Sequence, residues 1–280
     1  MRSALYLPAS NDRAIAKART LPCDAVILDL EDAVAPEMKA TARSAAVTAF
    51  GAGGFGQRMT VLRVNGIDTE WGMDDLFAAV TLDIDAVLVP KVNGPDDIAR
   101  YNAALDLARP GVQLWVMIET CLAVGQLQAI ADCAPHTRLG GFVMGTNDLA
   151  LEMRSKMAPD RATLLPILTL ALAAARSRRL IALDGVCNDF SDLDRFTAEA
   201  EQGLVLGFDG KTLIHPAQID PCNAVFSPTP DEIAKARSIS AAFALPENAG
   251  KGAIRLDGRM VERLHLVEAE RLLAMVAAIG

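Results

Sequence analysis

The sequence predicts a (β/α)₈ TIM barrel followed by a C-terminal helical arm. Eight apolar segments of strand length alternate with helix-like segments over about 215 residues, which is the count for such a barrel. Polar residues also follow strand after strand, and in a barrel all strands end at one mouth. A doubly wound open sheet is the alternative, but it would spread those residues along an edge.

Each predicted strand is too short for a helix and rich in branched side chains, as strands buried on both faces are. Their ranges are Ala4–Leu7, Ala25–Leu30, Thr60–Val64, Ala86–Pro90, Leu114–Glu119, Gly140–Gly145, Leu180–Gly185 and Gly207–Leu213. Helix-like segments lie between them and begin at cap residues or end at glycines. The clearest are Asp12–Ala18, Met38–Phe50, Asp96–Ala108, Leu164–Ser177 and Phe190–Gln202.

The barrel is predicted to occupy residues 1–227 and the arm residues 228–280. After two prolines the arm begins with a helix over Asp231–Ala244. A glycine-containing break follows, and a last amphipathic helix is predicted over Met260–Ala278. Because a barrel needs neither helix, we expect the arm to close an active-site mouth, in its own subunit or in a neighbour.

Composition limits the classes of protein. Hydrophobic residues make up 51% of the 280 and charged residues 22%, which indicates a globular chain with a large core. The net charge of −8 argues against a nucleic-acid surface, and no apolar run approaches the roughly 20 residues of a membrane span. The N-terminus lacks the apolar region of a signal peptide, and five scattered cysteines without a C-x-x-C pair indicate free thiols. We therefore expect a cytoplasmic protein.

Two acids stand at the ends of adjacent predicted strands. Glu119 ends the fifth strand and Asp148 lies just past the sixth, so both should reach the barrel mouth. Two carboxylates together with water and substrate oxygens suit Mg²⁺, which rarely takes a cage made of protein alone. The alternative is structural: Glu119 would pair with Arg63 or Lys91, and Asp148 would cap a helix beginning at Leu149.

Arg63 interrupts an apolar strand, and a buried guanidinium needs an anionic partner. That partner is either Glu119 or an oxygen of the substrate, such as a carboxylate or a developing enolate. Asp29 and Glu31 form an acidic cluster at another strand end and should point the same way. They form either a salt-bridged rim or a set of hydrogen-bond acceptors for metal-bound water.

Several segments together resemble the HpcH/HpaI aldolase group, which includes the citrate lyase β-subunit and malyl-CoA lyase. The resemblance runs nearly end to end. It rests on Arg2–Pro8 with Arg13 and Lys17, Leu28–Val34 with Lys39 and Arg43, Arg63–Gly66, Pro90-Lys91, Ile118–Thr120, Gly145–Leu149 and Gly207–Gln218.

The resemblance implies a Mg²⁺-dependent barrel that acts on coenzyme A thioesters and assembles as a homotrimer or homohexamer. It implies that Glu119 and Asp148 bind the metal and that Arg63 contacts substrate oxygens. Arg13 and Lys17 match positions that bind the phosphates of coenzyme A. The family's arm lies over a neighbouring active site.

One departure from the family concerns the arm. The lyases carry Met-Ile-Asp, whose aspartate acts as acid or base across the subunit interface, whereas this chain has Met260-Val261-Glu262. Segments around Gly66, Asn147 and His265 resemble a subgroup that includes a malyl-CoA thioesterase.

These resemblances leave three readings of the function open. The first is carbon–carbon cleavage of a 3-hydroxyacyl-CoA such as malyl-CoA or citryl-CoA, with Glu262 exchanging a proton with the acetyl carbon. The second is hydrolysis of the same thioester, with Glu262 orienting water. The third is a non-catalytic barrel subunit. The acyl group, and the choice between coenzyme A and an acyl-carrier protein, also stay open.

Overall fold

Eight parallel strands close into a barrel in the computed structural model, which describes residues 1–279. Each strand pairs with the next one along the chain, and β1 also pairs with β8, so the sheet has no free edge. The strands are β1 Ser3–Pro8, β2 Ala25–Asp29, β3 Met59–Arg63, β4 Ala86–Val89, β5 Gln113–Ile118, β6 Leu139–Met144, β7 Ile181–Asp184 and β8 Gly210–Leu213. The predicted (β/α)₈ barrel is confirmed.

Helices follow the strands in the order that the sequence predicts, and the structure contains several short helices beyond the predicted ones. They are α1 Asp12–Ala18, α2 Lys39–Gly51, α3 Gly72–Val80, α4 Pro95–Ala104, α5 Cys121–Gly125, α6 Leu127–Ala131, α7 Thr146–Glu152, α8 Leu165–Ser177, α9 Leu193–Leu206 and α10 Ile219–Phe226. The N-terminal cap of α1 is Asn11, whose side chain accepts a hydrogen bond from the amide of Ala14. The start of α9 lies three residues beyond the predicted Phe190, because Asp192 caps it.

The alternation of side chains along each strand explains how polar groups reach the mouth. Ile27, Val61 and Met117 all belong to the apolar cluster that fills the barrel. The next residue of the same parity on each strand lies one layer higher, and these are Asp29, Arg63 and Glu119. Because side chains on one face of a strand recur every two residues, the apolar layer inside the barrel is followed directly by a charged layer at its mouth.

The chain divides into two compact units, Met1–Phe226, which contains the barrel, and a second unit, Ser227–Gly280. It contains helix α11 Pro230–Ala244, an antiparallel hairpin of β9 Ala253–Leu256 and β10 Arg259–Glu262, and helix α12 Arg263–Ile279. The predicted last helix over Met260–Ala278 is thus wrong at its start. Asp257 and Gly258 both have positive φ (49° and 78°), the conformation of a type I′ turn, and Asp-Gly is a strong hairpin signal.

The hairpin has one covered face and one open face. Ile254, Leu256 and Val261 pack with apolar residues of α11 and α12. The opposite face carries Ala253 and Arg255, with Glu262 and Met260 as their cross-strand partners. Met260 is 71% exposed, so the second unit does not itself cover this face.

Two further observations concern the helices and the cysteines. No helix within residues 1–279 combines the length and the apolar character needed to cross a bilayer. All five cysteines are free thiols.

Candidate active site

A cavity of about 290 Å³ lies at the mouth of the barrel, lined by residues at the carboxyl ends of the strands. Its lining divides by chemistry. Asp29, Asp32 and Arg63 supply charge on one side, and Asp148 supplies an acid elsewhere. Much of the remaining lining consists of two thioether side chains and two amide side chains, those of Met117, Met144, Asn147 and Asn188.

Arg63 is held by Asp29 in a bidentate ion pair. Its Nε lies 2.7 Å from Oδ1 of Asp29 and its Nη2 lies 2.6 Å from Oδ2. The two residues are direct partners in the β2–β3 register, which explains the contact. Glu119, one of the two partners that the sequence leaves open for Arg63, forms no ion pair with it, and the strand register places Asp29 there instead. Burial opposes the charge of Arg63, but the hydrogen bonds to Asp29 outweigh it and raise its pKa.

Asp29 and Glu31 converge on Arg63, so the salt-bridged alternative for these acids describes their contacts. Asp29 also accepts from the amides of Glu31 (2.8 Å) and Ala33 (3.1 Å). Glu31 Oε2 lies 2.7 Å from Nη1 of Arg63, an ion pair without the angles of a hydrogen bond. Burial raises the pKa of Glu31 to about 8, even though the charge of Arg63 acts to lower it.

The raised pKa of Glu31 predicts a pH-dependent loss of stability. An unfolded glutamate loses its proton near 4.5 and the folded one near 8, so between those values the folded state holds more protons. Raising the pH through this window therefore destabilises the fold. In EDTA, the free energy of unfolding of the unmodified protein should fall between pH 5.5 and 8. We expect this fall to be smaller in Glu31→Gln by at least about 1.4 kcal/mol, the equivalent of one pKa unit.

Urea unfolding at the two pH values measures this difference. The matched control is Glu201→Gln on the exposed face of α9, which should follow the unmodified protein. Parallel curves for Glu31→Gln and the unmodified protein would contradict the raised pKa.

Two hydroxyls in the cavity lining are buried without a hydrogen-bond partner among the described residues. They are Tyr6 Oη and Thr146 Oγ1. The Tyr6 ring also lies 4.9 Å from the guanidinium carbon of Arg63, and burial raises the pKa of its phenol. Because buried polar groups in proteins are almost always satisfied, two unpaired hydroxyls beside a cavity point to a polar ligand. Sequence reasoning missed both, and no local pattern marks them.

Lys91 contacts both Glu119 and Asp148. Glu119 is only 1% exposed and accepts a 2.7 Å hydrogen bond from the backbone amide of Lys91. The Lys91 ammonium pairs with Asp148 and lies 3.7 Å from Oε1 of Glu119. Burial raises the pKa of Glu119, because the Lys91 charge does not fully offset the lost hydration. The predicted pairing of Glu119 with Lys91 is therefore present.

The alternative role of Asp148 as a helix cap is wrong. Helix α7 begins at Thr146, its cap is Gly145, and Asp148 lies within the first turn without a capping bond. Gly145 is required where Glu119 passes, since a Cβ there would lie 2.4 Å from Cβ of Glu119. The backbone thus leaves the Asp148 carboxylate free of a capping role.

The residues present fit a hard divalent cation. Glu119 and Asp148 both approach the Lys91 ammonium, so the two carboxylates converge on one cation-binding point. Residues 1–279 contain no group of three or more acidic, histidine or cysteine side chains placed to hold a metal. The chain would therefore supply two oxygen ligands, and water and substrate the others, which is the usual arrangement for Mg²⁺.

Two further predicted site residues do not line this cavity, and a third belongs to the second unit. Arg13 and Lys17 lie one turn apart on α1, exposed, and are not among its lining residues. Glu262 belongs to the second unit, at the end of β10, where its amide donates to Nδ1 of His265 at 2.9 Å. No side-chain partner of Glu262 is found in the described part of the chain.

A second set of buried charges has a structural role. Asp184 and Lys211 follow the pattern of polar strand ends, yet both are fully buried and lie 3.1 Å apart, as their β7–β8 register requires. Arg161 binds both oxygens of Asp184 at 2.8 Å and also contacts Gln202. The polar residues after the predicted strands are expected at the mouth, and Asp184 and Lys211 are exceptions, because they neutralise each other and, with Arg161, anchor the loop before α8.

Comparison with known proteins identifies the family. Residues 2–216 match the family described as HpcH/HpaI aldolase/citrate lyase. The chain is 49% identical over 279 residues to a (3S)-malyl-CoA thioesterase of Cereibacter sphaeroides, covering all of this chain and 95% of that protein. It is 34% identical over 268 residues to the citrate lyase subunit beta of Escherichia coli, covering 93% and 88%.

A solved structure is also similar along almost the whole chain. The protein CitE from Mycobacterium tuberculosis, in complex with magnesium, acetoacetate and coenzyme A, superposes with a TM-score of 0.75 at 28% identity, covering 98% of this chain and 97% of that one. The match of residues 2–216, the full-length relatives and the closed barrel lead to one conclusion. The resemblance read from the sequence is confirmed: this chain is an enzyme of the HpcH/HpaI aldolase/citrate lyase family.

Proposed function

We propose that the chain is a Mg²⁺-dependent hydrolase of a 3-hydroxyacyl-CoA thioester of the malyl-CoA type. One observation carries the metal-dependent part: two carboxylates, one of them buried, converge beside a cavity that also holds a paired arginine. The choice of hydrolysis is supported by 49% identity to a malyl-CoA thioesterase along the whole chain. Glu262 in place of the lyases' aspartate adds to that choice.

Glu119 and Asp148 would hold the metal, which polarises oxygens of the bound acid when present. Asp29 fixes the Arg63 guanidinium in the wall, so that its charge faces the cavity without rearranging when negative charge develops on the carbonyl oxygen. The unpaired hydroxyls of Tyr6 and Thr146 would donate to the acid portion of the substrate. Arg13 and Lys17 would contact the phosphates of coenzyme A from the exposed face of α1.

Hydrolysis also needs a group that orients water, and Glu262 is our candidate. Water would attack the thioester carbonyl, the C–S bond would break, and the thiol of coenzyme A would leave with a proton. Because Glu262 lies in the second unit on an open hairpin face, we propose that the arm of one copy supplies it to another, in a homotrimer or homohexamer. The carboxylate has no partner within residues 1–279 that would hold it away from water.

Carbon–carbon cleavage of the same substrate is the second candidate, and the similarity to the citrate lyase subunit beta favours it. Both reactions could use the same acids and Arg63. They differ in the bond that breaks, and Glu262 would then give a proton to the acetyl carbon.

Product analysis separates the candidates. We expect malyl-CoA incubated with the enzyme and Mg²⁺ to yield malate and free coenzyme A, measured as a thiol by Ellman's reagent and as malate by chromatography. EDTA should stop the reaction. Glyoxylate with acetyl-CoA would instead show the lyase, and no product from a panel of CoA esters would contradict both candidates.

A further inference from the structure

Lys91 has a backbone conformation that residues with side chains rarely adopt. Its φ is +53°, in the left-handed region, directly after β4 and Pro90. Such a conformation costs a non-glycine residue about 1–2 kcal/mol and persists only where its surroundings require it. Here it directs the amide of Lys91 toward Glu119, whose Oε1 accepts it at 2.7 Å.

The side chain of Lys91 meets the same pair of acids. Its ammonium binds Asp148 and lies 3.7 Å from Oε1 of Glu119. Within residues 1–279 it is the only side-chain cation in an ion pair with either acid, because Arg63 is bound to Asp29, Glu31 and Asp32 instead. One residue thus contacts both carboxylates, through an amide that is fixed and an ammonium that is not.

The two contacts differ in how easily they can be given up. Glu119 is buried and held by its strand, so its hydrogen bond with the Lys91 amide is rigid. The Lys91 side chain is 46% exposed and that of Asp148 is 32% exposed, so the ammonium has an open route to solvent. A flexible, hydrated ammonium can leave at the cost of a partly exposed ion pair, whereas the amide cannot.

We propose that the Lys91 ammonium is an exchangeable counter-cation, which competes with a divalent metal ion for Glu119 and Asp148. This inference rests on the proposed function, because it needs those acids to bind the metal. The Lys91 amide holds Glu119 in place in both states. The ammonium neutralises the acids without metal and withdraws when the metal binds, so metal affinity is lower than the two carboxylates alone would give.

The first test measures metal binding directly. Asparagine tolerates the left-handed conformation, so Lys91→Asn removes the ammonium while keeping the backbone amide. We expect the Kd for Mn²⁺, from electron paramagnetic resonance of the free ion, to tighten by about tenfold, the equivalent of ~1.4 kcal/mol. Lys91→Arg keeps the charge and should stay near the unmodified protein, as should Lys235→Asn on the exposed face of α11.

The second test observes the ammonium itself. Acetylation of lysines in the unmodified protein, mapped by mass spectrometry, should rise severalfold at Lys91 when Mg²⁺ is added and should not change at Lys235. If the labelling of Lys91 does not rise, the ammonium stays on the acids when Mg²⁺ is present and exchange is wrong.

The outcomes separate this inference from the proposed function. Tighter Mn²⁺ binding by Lys91→Asn together with higher labelling of Lys91 supports exchange. If the unmodified protein binds Mn²⁺ and Lys91→Asn binds it equally or more weakly, exchange is wrong while the metal site stands. If neither binds Mn²⁺ although circular dichroism shows both folded, the metal site and the exchange fail together.

Discussion

Glu119→Gln is expected to lower metal-dependent turnover of a malyl-CoA-type thioester by about 10³-fold or more, the equivalent of ~4 kcal/mol in the barrier. Glutamine has nearly the same shape, and its oxygen can still accept the hydrogen bond from the Lys91 amide. It lacks the negative charge that makes a carboxylate the stronger ligand for a hard cation. Burial already raises the pKa of Glu119, so loss of its charge should not unfold the protein.

Steady-state assays with and without EDTA measure the loss, and Mn²⁺ binding shows whether it arises at the metal. Glu201→Gln on α9 is the matched control, since it makes the same chemical change on an exposed surface. Unchanged turnover of every CoA ester by Glu119→Gln would show that the catalytic site lies elsewhere.

Asp29→Asn is expected to produce the largest loss of stability, about 3 kcal/mol or more of the free energy of unfolding. The pair of Asp29 with Arg63 is buried, and removing one charge leaves the other without its bidentate partner. Glu31 remains 2.7 Å from Nη1 of Arg63 and should offset part of the cost. Urea unfolding in EDTA measures the effect apart from metal binding.

A double-mutant cycle tests whether the pair is the cause. Asp29→Asn/Arg63→Met removes both charges of the pair and should recover a substantial part of the loss, because neither is left without the other. Glu31 also loses Arg63, but burial raises its pKa, so it can take up a proton. Asp132→Asn is the control, as Asp132 pairs with Arg178 at 2.8 Å on the surface and should cost under about 1 kcal/mol. Equal losses at Asp29 and Asp132 would contradict the importance of burial.

The barrel could be predicted because its signal is local. Short apolar runs and helix-like segments alternate in the correct order and number, and polar residues follow the strands, so the element sequence alone favours a (β/α)₈ fold. The errors lie in the arm and at helix starts. The predicted break covers only Asn248–Gly252 and misses the turn at Asp257-Gly258, whose residues favour a hairpin.

The candidate site was predicted in outline but not in its pairing. A charged residue at the end of an apolar strand indicates the barrel mouth, which led to Arg63 and Glu119. Its partner across the sheet depends on register, and a shift of one residue would change every neighbour. Asp29 opposite Arg63, and Lys211 opposite Asp184, therefore became visible only when the strands were paired.

The sequence by itself determined the kind of fold, the family resemblance and the acids that could bind a metal. These properties follow from the periodicity of hydrophobic residues and from the residue types near strand ends, and both are local features of the sequence. Tertiary structure decided which charges neutralise one another, which hydroxyls stay unpaired, and that Lys91 touches both Glu119 and Asp148. Those properties depend on distances between residues far apart in sequence. Burial then determines the free-energy cost of keeping each charge out of water.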